Sequence, residues 1–295
     1  MLSPMAMIFY LFMARIPCAP AFCLLLVPSF FLAPPSARAS SRPVSLASQN
    51  VRYSLDLVES SGGGTTDATG SMTYSVHRTC ATWETVQKLE IQSTTRKHGP
   101  EFMQSDYVAS ESLDGRHLTF RTQEQVNGRV LQTVSGQAQL NRDGSGSVTY
   151  SRPLTKKLSL PAGTMFPMAH TSALISAAMA SQNELTTPLF DGTLPDGAQD
   201  SYATLVGWTT KPSPGSLPSL RALPMGHIHV AYYDRSRQDM VPTYTIGMRS
   251  YANGVADKLD LDFGDFRMNG ILRSLDLPPE PTCPRPPEAI SGATP

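Results

Sequence analysis

The residues able to do chemistry are few, and their spacing decides what each can do. His227 and His229, one residue apart in "GHIHVAYY", project from the same side of a strand, a spacing used in many metal sites. A metal needs a further ligand, and no neighbouring Glu-x-x-His or Cys pattern nominates one. On a solvent face the same alternation is ordinary polar patterning. Asp260, Asp262 and Asp265 crowd into "KLDLDFGD", where paired carboxylates would suit acid–base work or calcium. Their alternation with Leu259, Leu261 and Phe263 predicts instead one strand with a solvated acidic face. For nucleophilic catalysis, "DGSGS" at 143 to 147 lacks the G-x-S-x-G spacing and reads as a hairpin turn. His170 and Ser172 on one helix do not form a base–nucleophile pair. No phosphate loop or cofactor motif appears, so no cofactor is expected.

The elements that position these residues are mostly strands. "VRYSLDLVES" places Val51, Tyr53, Leu55 and Leu57 on one side, and "SMTYSVHRT" repeats the period of two. "SGGGTTDATG" between them reads as a flexible turn. Five further strands follow up to "GSVTYSRP", joined by Leu113-Asp-Gly-Arg116, Val126-Asn-Gly-Arg129 and Arg142-Asp-Gly-Ser145. Asn-Gly and Asp-Gly supply the positive φ angles of tight hairpins. After residue 184 the strands resume in "TPLFDG", "SYATLVGWTT", "GHIHVAYYDR", "PTYTIGMRSY", "ADKLDLDFGDFRM" and "GILRSLDLP". A Pro/Ser loop, residues 211 to 224, interrupts them.

Between the two meanders lies "LPAGTMFPMAHTSALISAAM", residues 160 to 179, and no charged side chain occurs between Lys157 and Glu184. Pro167 suits the first turn of a helix, which runs to about Ser181. Thr171, Leu174, Ile175 and Ala178 form one stripe, with His170 at its edge. A helix without a charged face is enclosed on most sides. His170 is therefore expected to be a hydrogen-bonded packing residue. The fold class is mainly β: about a dozen or more antiparallel strands around one central helix.

The first 39 residues read as a cleavable secretory signal, with Arg15, an apolar run from Ala19 to Ala33, and a small-residue site at Ala37-Arg38-Ala39. Pro20 and Pro28 interrupt the run, which is short for a membrane span of about 20 residues. A retained anchor is the competing reading. Cleavage removes Arg15 and Arg38 and no acidic residue, leaving 22 basic and 24 acidic groups, a net charge of −2. That balance implies neither nucleic acid nor an anionic membrane surface as partner. Residues 40–284 are expected to form a single domain and 285–295 a Pro-rich flexible tail. Export leaves two thiols, Cys80 and Cys283. In an oxidising compartment they most simply form one disulfide, closing a loop of about 200 residues. A redox pair or metal ligation is the alternative, though neither cysteine lies in a C-x-x-C and two thiols alone do not make a zinc site.

The blocks "LPAGTMFPMAH" (160 to 170), "LFDG" (189 to 192) and "LDLPPEPTC" (275 to 283), with the early Cys80, resemble the EipB-type cell envelope integrity proteins of the alphaproteobacterial periplasm. The resemblance runs from about Val51 to Cys283. It implies a β-spiral, a long bent antiparallel sheet wrapped around one central helix, and a disulfide between Cys80 and Cys283. Gly163, Phe166, Pro167 and His170 are then the structural motif around that helix. The implied function is non-enzymatic support of envelope integrity and stress resistance, through contacts with a periplasmic protein of tetratricopeptide-repeat type. A lipid or cell-wall component is the other partner class. The rival functions are a carrier of an apolar ligand within the curved sheet and an envelope hydrolase. This chain departs from the pattern in its 211–224 loop and in the tail beyond Cys283.

Overall fold

The computed structural model describes residues 44–60, 64–212, 216–237 and 241–284, so the expected signal and Pro-rich tail lie outside the described residues. Period-two burial builds the architecture. In β1 (Gln49–Ser60), Val51, Tyr53 and Leu55 turn inward while Arg52 and Asp56 face out. The chain then meanders through β2 (Thr65–Arg78), β3 (Thr82–Thr95), β4 (Gly99–Ser112), β5 (His117–Val126), β6 (Arg129–Leu140), β7 (Gly146–Arg152) and β8 (Lys156–Leu160). After α1 (Pro167–Met179) it returns through β9 (Glu184–Leu189), β10 (Gln199–Thr209), β11 (Met225–Tyr233), β12 (Tyr244–Tyr251), β13 (Ala256–Asp262) and β14 (Phe266–Asp276).

All fourteen strands belong to one antiparallel sheet in the order β8-β7-β6-β5-β4-β3-β2-β1-β14-β13-β12-β11-β10-β9. The first and last strands therefore pair in the middle, from Asn50 opposite Asp276 to Ser60 opposite Phe266. The free edges, β8 and β9, are the two strands that flank α1. The sheet stays open at that seam. Turn chemistry behaves as the sequence predicts: Asn127 (φ 51°) and Gly128 (φ 76°) provide the two left-handed residues that join β5 to β6.

Two expectations about elements are corrected, and one strand is found where none was expected. Thr65–Gly70 is strand, not flexible turn: Ala68 pairs with Ser93 and Gly70 with Ile91, so backbone pairing with β3 overrides weak local propensity. "ADKLDLDFGDFRM" is two strands, because Asp262 Oδ1 accepts the Gly264 N–H at 2.8 Å and Gly264 takes φ +86°. Asp265 thus sits in a turn. "KKLSL" forms the short edge strand β8, pairing Lys156 with Tyr150 and Leu160 with Gly146; its two lysines hide the strand pattern.

The core lies inside the curve. Leu174 and Ile175 of α1 are fully buried, in one cluster with Leu55, Ile228, Val230 and Met268. At the helix entry a second cluster packs Phe120, Tyr150, Phe166 and Phe190 edge to face, with ring centroids 5.3 to 6.3 Å apart. Such contacts add about 1 kcal/mol per pair beyond area burial. The described part of the 211–224 loop from Ser216 onward folds over the end of the sheet, where Leu220 packs with Met225, Tyr251 and Val255. Ser216 Oγ and Tyr251 Oη are 2.7 Å apart, and Tyr251 donates in turn to Asp257, which holds Arg249 through two 2.6 Å bonds. The buried bidentate pair joins β12 to β13, and the Ser216–Tyr251 bond fastens the loop to it.

Candidate functional site

The charge-free block predicted to enter the helix works at the seam of the sheet. Met165 N–H donates to the Pro188 carbonyl (2.9 Å) and Phe190 N–H to the Met165 carbonyl (3.0 Å), so the segment runs along the open edge of β9. Thr187 Oγ1 donates to the Gly163 carbonyl at 2.8 Å. On its other side, Gly163 N–H donates to the Asp143 carbonyl at 2.8 Å. Gly163 (φ +79°) lies backbone to backbone against Gly144 (φ +77°): a Cβ on Gly144 would sit 2.7 Å from Gly163 N. The Asp-Gly turn read as a hairpin is also a docking point for the helix entry.

Phe166 is the N-cap residue of α1 and Pro167 its first residue. Phe166 has no side chain able to accept the free N–H groups of the first turn. Glu111, at the end of β4, supplies the acceptor: Oε2 takes the Met168 N–H at 2.7 Å and Oε1 the Ala169 N–H at 2.9 Å. The carboxyl is only 3% exposed. Burial pushes its pKa up to about 7, against the downward pull of the two backbone N–H bonds. Glu111 was missed by motif reading. Its signal was indirect, a helix start lacking Ser, Thr, Asp or Asn, which obliges a distant residue to cap it.

His170 is buried deeper than its expected place at the stripe's edge, at 3% exposure. Its Nε2 lies 2.9 Å from Ser201 Oγ on β10, and that hydroxyl donates to the Thr187 carbonyl of β9 at 2.9 Å. With the Ser201 proton so placed, Nε2–H of a neutral imidazole is the donor to Ser201. Burial lowers the imidazole pKa to about 4. His170 thus ties the helix to both strands of the second meander's edge. Ser201 is fully enclosed, so the pair presents no hydroxyl to a substrate.

Beside this seat the helix turns Ala169, Ser172 and Ser176 toward a cavity of about 620 Å³, whose walls include Glu111, Trp83 and Arg78. The Arg78 guanidinium lies over the Trp83 ring at 5.9 Å and reaches Glu280 at 3.4 Å. Three residues beyond Glu280, Cys283 is joined to Cys80, with Cα atoms 5.5 Å apart and a sequence separation of 203. The disulfide fastens the end of the described chain to the β2–β3 turn.

His227 and His229 do share the outer face of β11, as their spacing requires. They line a trough of about 420 Å³ floored by Gly247, with Lys258 and Asp260 opposite. No group of three or more His, Cys, Asp or Glu side chains among the described residues is arranged to hold a metal ion. Asp260, half-exposed, faces Arg267 at 3.8 Å, while Asp262 serves its turn.

The EipB-like family profile matches residues 40–279. The cell envelope integrity protein EipB of Brucella abortus is 27% identical over 252 residues, spanning 82% of this chain and 88% of that protein. A crystal structure of a β-barrel-like protein of a domain of unknown function, also from Brucella abortus, superposes with a TM-score of 0.73 at 26% identity, covering 80% of this chain and all of that one. With the profile spanning the sheet, the central helix and its seat, this chain belongs to the EipB-like family.

Proposed function

We propose that this is an exported, non-enzymatic protein that supports cell envelope integrity under stress through contacts with other periplasmic proteins, a tetratricopeptide-repeat protein being the partner class. The observation that carries the reading is the match, over most of both chains, to a Brucella protein named for envelope integrity. The geometry supports it. The chemistry-bearing groups singled out near the helix are engaged in holding the fold: Glu111 caps, His170 ties, and the two cysteines are joined. A long-range disulfide suits an oxidising compartment such as the periplasm. The rival reading, an apolar ligand inside the curve, finds the helix side chains already there. The cavity beside Tyr53, Met72 and Met248 measures only about 20 Å³, room for about one water.

The test is deletion of the gene with complementation. Loss should sensitise cells to detergent and envelope-directed antibiotics, and the His227→Ala/His229→Ala protein should restore resistance fully. Unchanged resistance on deletion refutes the envelope role. A stably exported histidine variant that fails to complement refutes the non-enzymatic part. Crosslinking in the intact envelope then identifies the contact.

A further inference from the structure

A near-zero net charge conceals an uneven distribution. The register places the β3–β4, β5–β6 and β7–β8 connections on one rim of the sheet, opposite the rim that carries the helix entry and the disulfide. β7 ends opposite Ser135, so the β5–β6 hairpin projects beyond its neighbour for six residues of β6, Arg129 to Val134. Its end exposes Val130 (49%) and Leu131 (62%). Across the step, every residue from Ser151 to Lys157 is exposed, and Leu154 at 74% is the most exposed large apolar side chain among the described residues. Leu131 and Leu154 are also the two most exposed leucines described. Single exposed aliphatics are ordinary; here Val130, Leu131 and Leu154 are exposed on neighbouring connections of one rim.

Cations lie on the same connections. Arg129, Arg152 and Lys157 flank the apolar tips, and Arg96 and Lys97 form the adjoining β3–β4 turn. Four carboxylates share this part of the rim: Glu101, Glu124, Asp67 beside the β3–β4 turn, and Asp196, which interacts with Lys156 at the start of β8. Glu124 is half-buried with its pKa pushed up to about 7 by desolvation, which weakens it as a countercharge. Protruding aliphatic tips beside Arg129, Arg152 and Lys157 are complementary to a surface with an anionic outer layer and an apolar layer beneath. An acidic protein strand would match the charge but leave Leu131 and Leu154 without an apolar counterpart.

We propose that the rim formed by the β5–β6 hairpin and the β7–β8 turn docks the protein peripherally on an anionic phospholipid bilayer. Leu131 and Leu154 enter the headgroup layer, and Arg129, Arg152 and Lys157 meet the lipid phosphates. The helix seat and the disulfide on the opposite rim stay free for protein partners.

Cosedimentation of the purified protein with vesicles tests this. Vesicles of phosphatidylglycerol and phosphatidylcholine should bind it at low salt, at least about ten times more tightly than pure phosphatidylcholine, and salt should weaken the binding. Arg129→Gln/Lys157→Gln should weaken it by about 30-fold, at about 1 kcal/mol per cation. Leu131→Ser/Leu154→Ser should weaken it with the melting temperature unchanged, since both side chains are exposed. No binding to the anionic vesicles, equal binding to both compositions, or full binding by either double variant overturns the proposal. So does wild-type protein that ignores vesicles but is captured by an acidic protein segment.

Discussion

Replacing Glu111 with Gln sets two forces on one carboxyl against each other. Burial favours the neutral acid; the Met168 and Ala169 N–H groups at a helix N-terminus favour the anion. The structure gives the decision to burial, moving the pKa from 4.5 to about 7. A carboxyl whose folded pKa lies above its unfolded one binds more protons in the folded state across that window. Stability then falls as pH rises from about 4.5 to about 7. Two and a half units at 1.36 kcal/mol each make this about 3 kcal/mol. Gln is close in shape to the neutral acid and does not titrate, but its NH2 group cannot accept the second N–H, so at pH 5 the variant should lie about 1–3 kcal/mol below wild type. By pH 8 the wild type should have lost about 3 kcal/mol relative to the variant.

Urea unfolding of both proteins at pH 5, 6, 7 and 8, with the disulfide intact, reads the difference directly. Comparing the two proteins at each pH cancels other titrating groups, including Glu124, whose similar shift is softened by solvent because it is only half-buried. A pH-independent difference would mean that Glu111 titrates normally. A difference growing in favour of wild type with rising pH would mean that the helix N–H bonds outweigh desolvation. Either result refutes the reasoning. Glu111→Ala is the companion variant: it orphans two buried N–H groups and should cost about 2–5 kcal/mol at any pH.

The other seat residues give predictions of their own. His170 has its pKa lowered from 6.5 to about 4, so it contributes stability above 6.5 that is lost as pH falls toward 4, about 3 kcal/mol in all; His170→Gln, followed by the same urea titration, should remove that acid limb. Cys80→Ser and Cys283→Ser should lower the melting temperature equally, with the double variant no worse, and a loop spanning 203 residues sets about 5 kcal/mol as the upper limit of the loss; additive losses would show that the pair is not joined. Gly163→Ala should cost about 1 kcal/mol, from its left-handed backbone alone, since its Cβ meets only Pro188 at 3.9 Å. Gly144→Ala should cost clearly more, because its Cβ meets the Gly163 backbone; thermal melts that rank the two equally would refute the docking of turn on helix entry.

The sequence displayed what is local. Alternation in β1 and the Asn127-Gly128 turn were legible because side-chain period and φ preference act within a few residues. The enclosed helix was legible because a long uncharged run with small faces has one physical use in a β-rich chain. Asp265 was misplaced because alternation continues through "LDFGDF" while Gly264 and the Asp262 carboxylate break the strand. Glu111 was invisible as a cap because it lies 57 residues from the N–H it serves, and nothing local marks it. His170 was readable as a packing residue, but its tether through Ser201 to Thr187 depends on how the second meander returns.

That return explains why the three family blocks fall where they do. A meander that runs out from β1 to β8 and back from β9 to β14 closes itself in the middle, through ordinary ladder pairing that many sequences satisfy. Its difficulty is the seam, where β8 and β9 do not pair with each other and the helix packs on β9 and β10. "LPAGTMFPMAH" lines the β9 edge and seats the helix there. "LFDG" adds Phe190 to the aromatic cluster, while Tyr107 and Thr122 donate to the Asp191 and Gly192 carbonyls at 3.0 and 3.2 Å. "LDLPPEPTC" carries the chain past β14 to Cys80, so the strand that closes the middle of the sheet cannot fray from its end. Each block works where the regular ladder ends. Their order and spacing therefore report the fold through the helix seat, the aromatic cluster and the disulfide rather than through a reactive side chain.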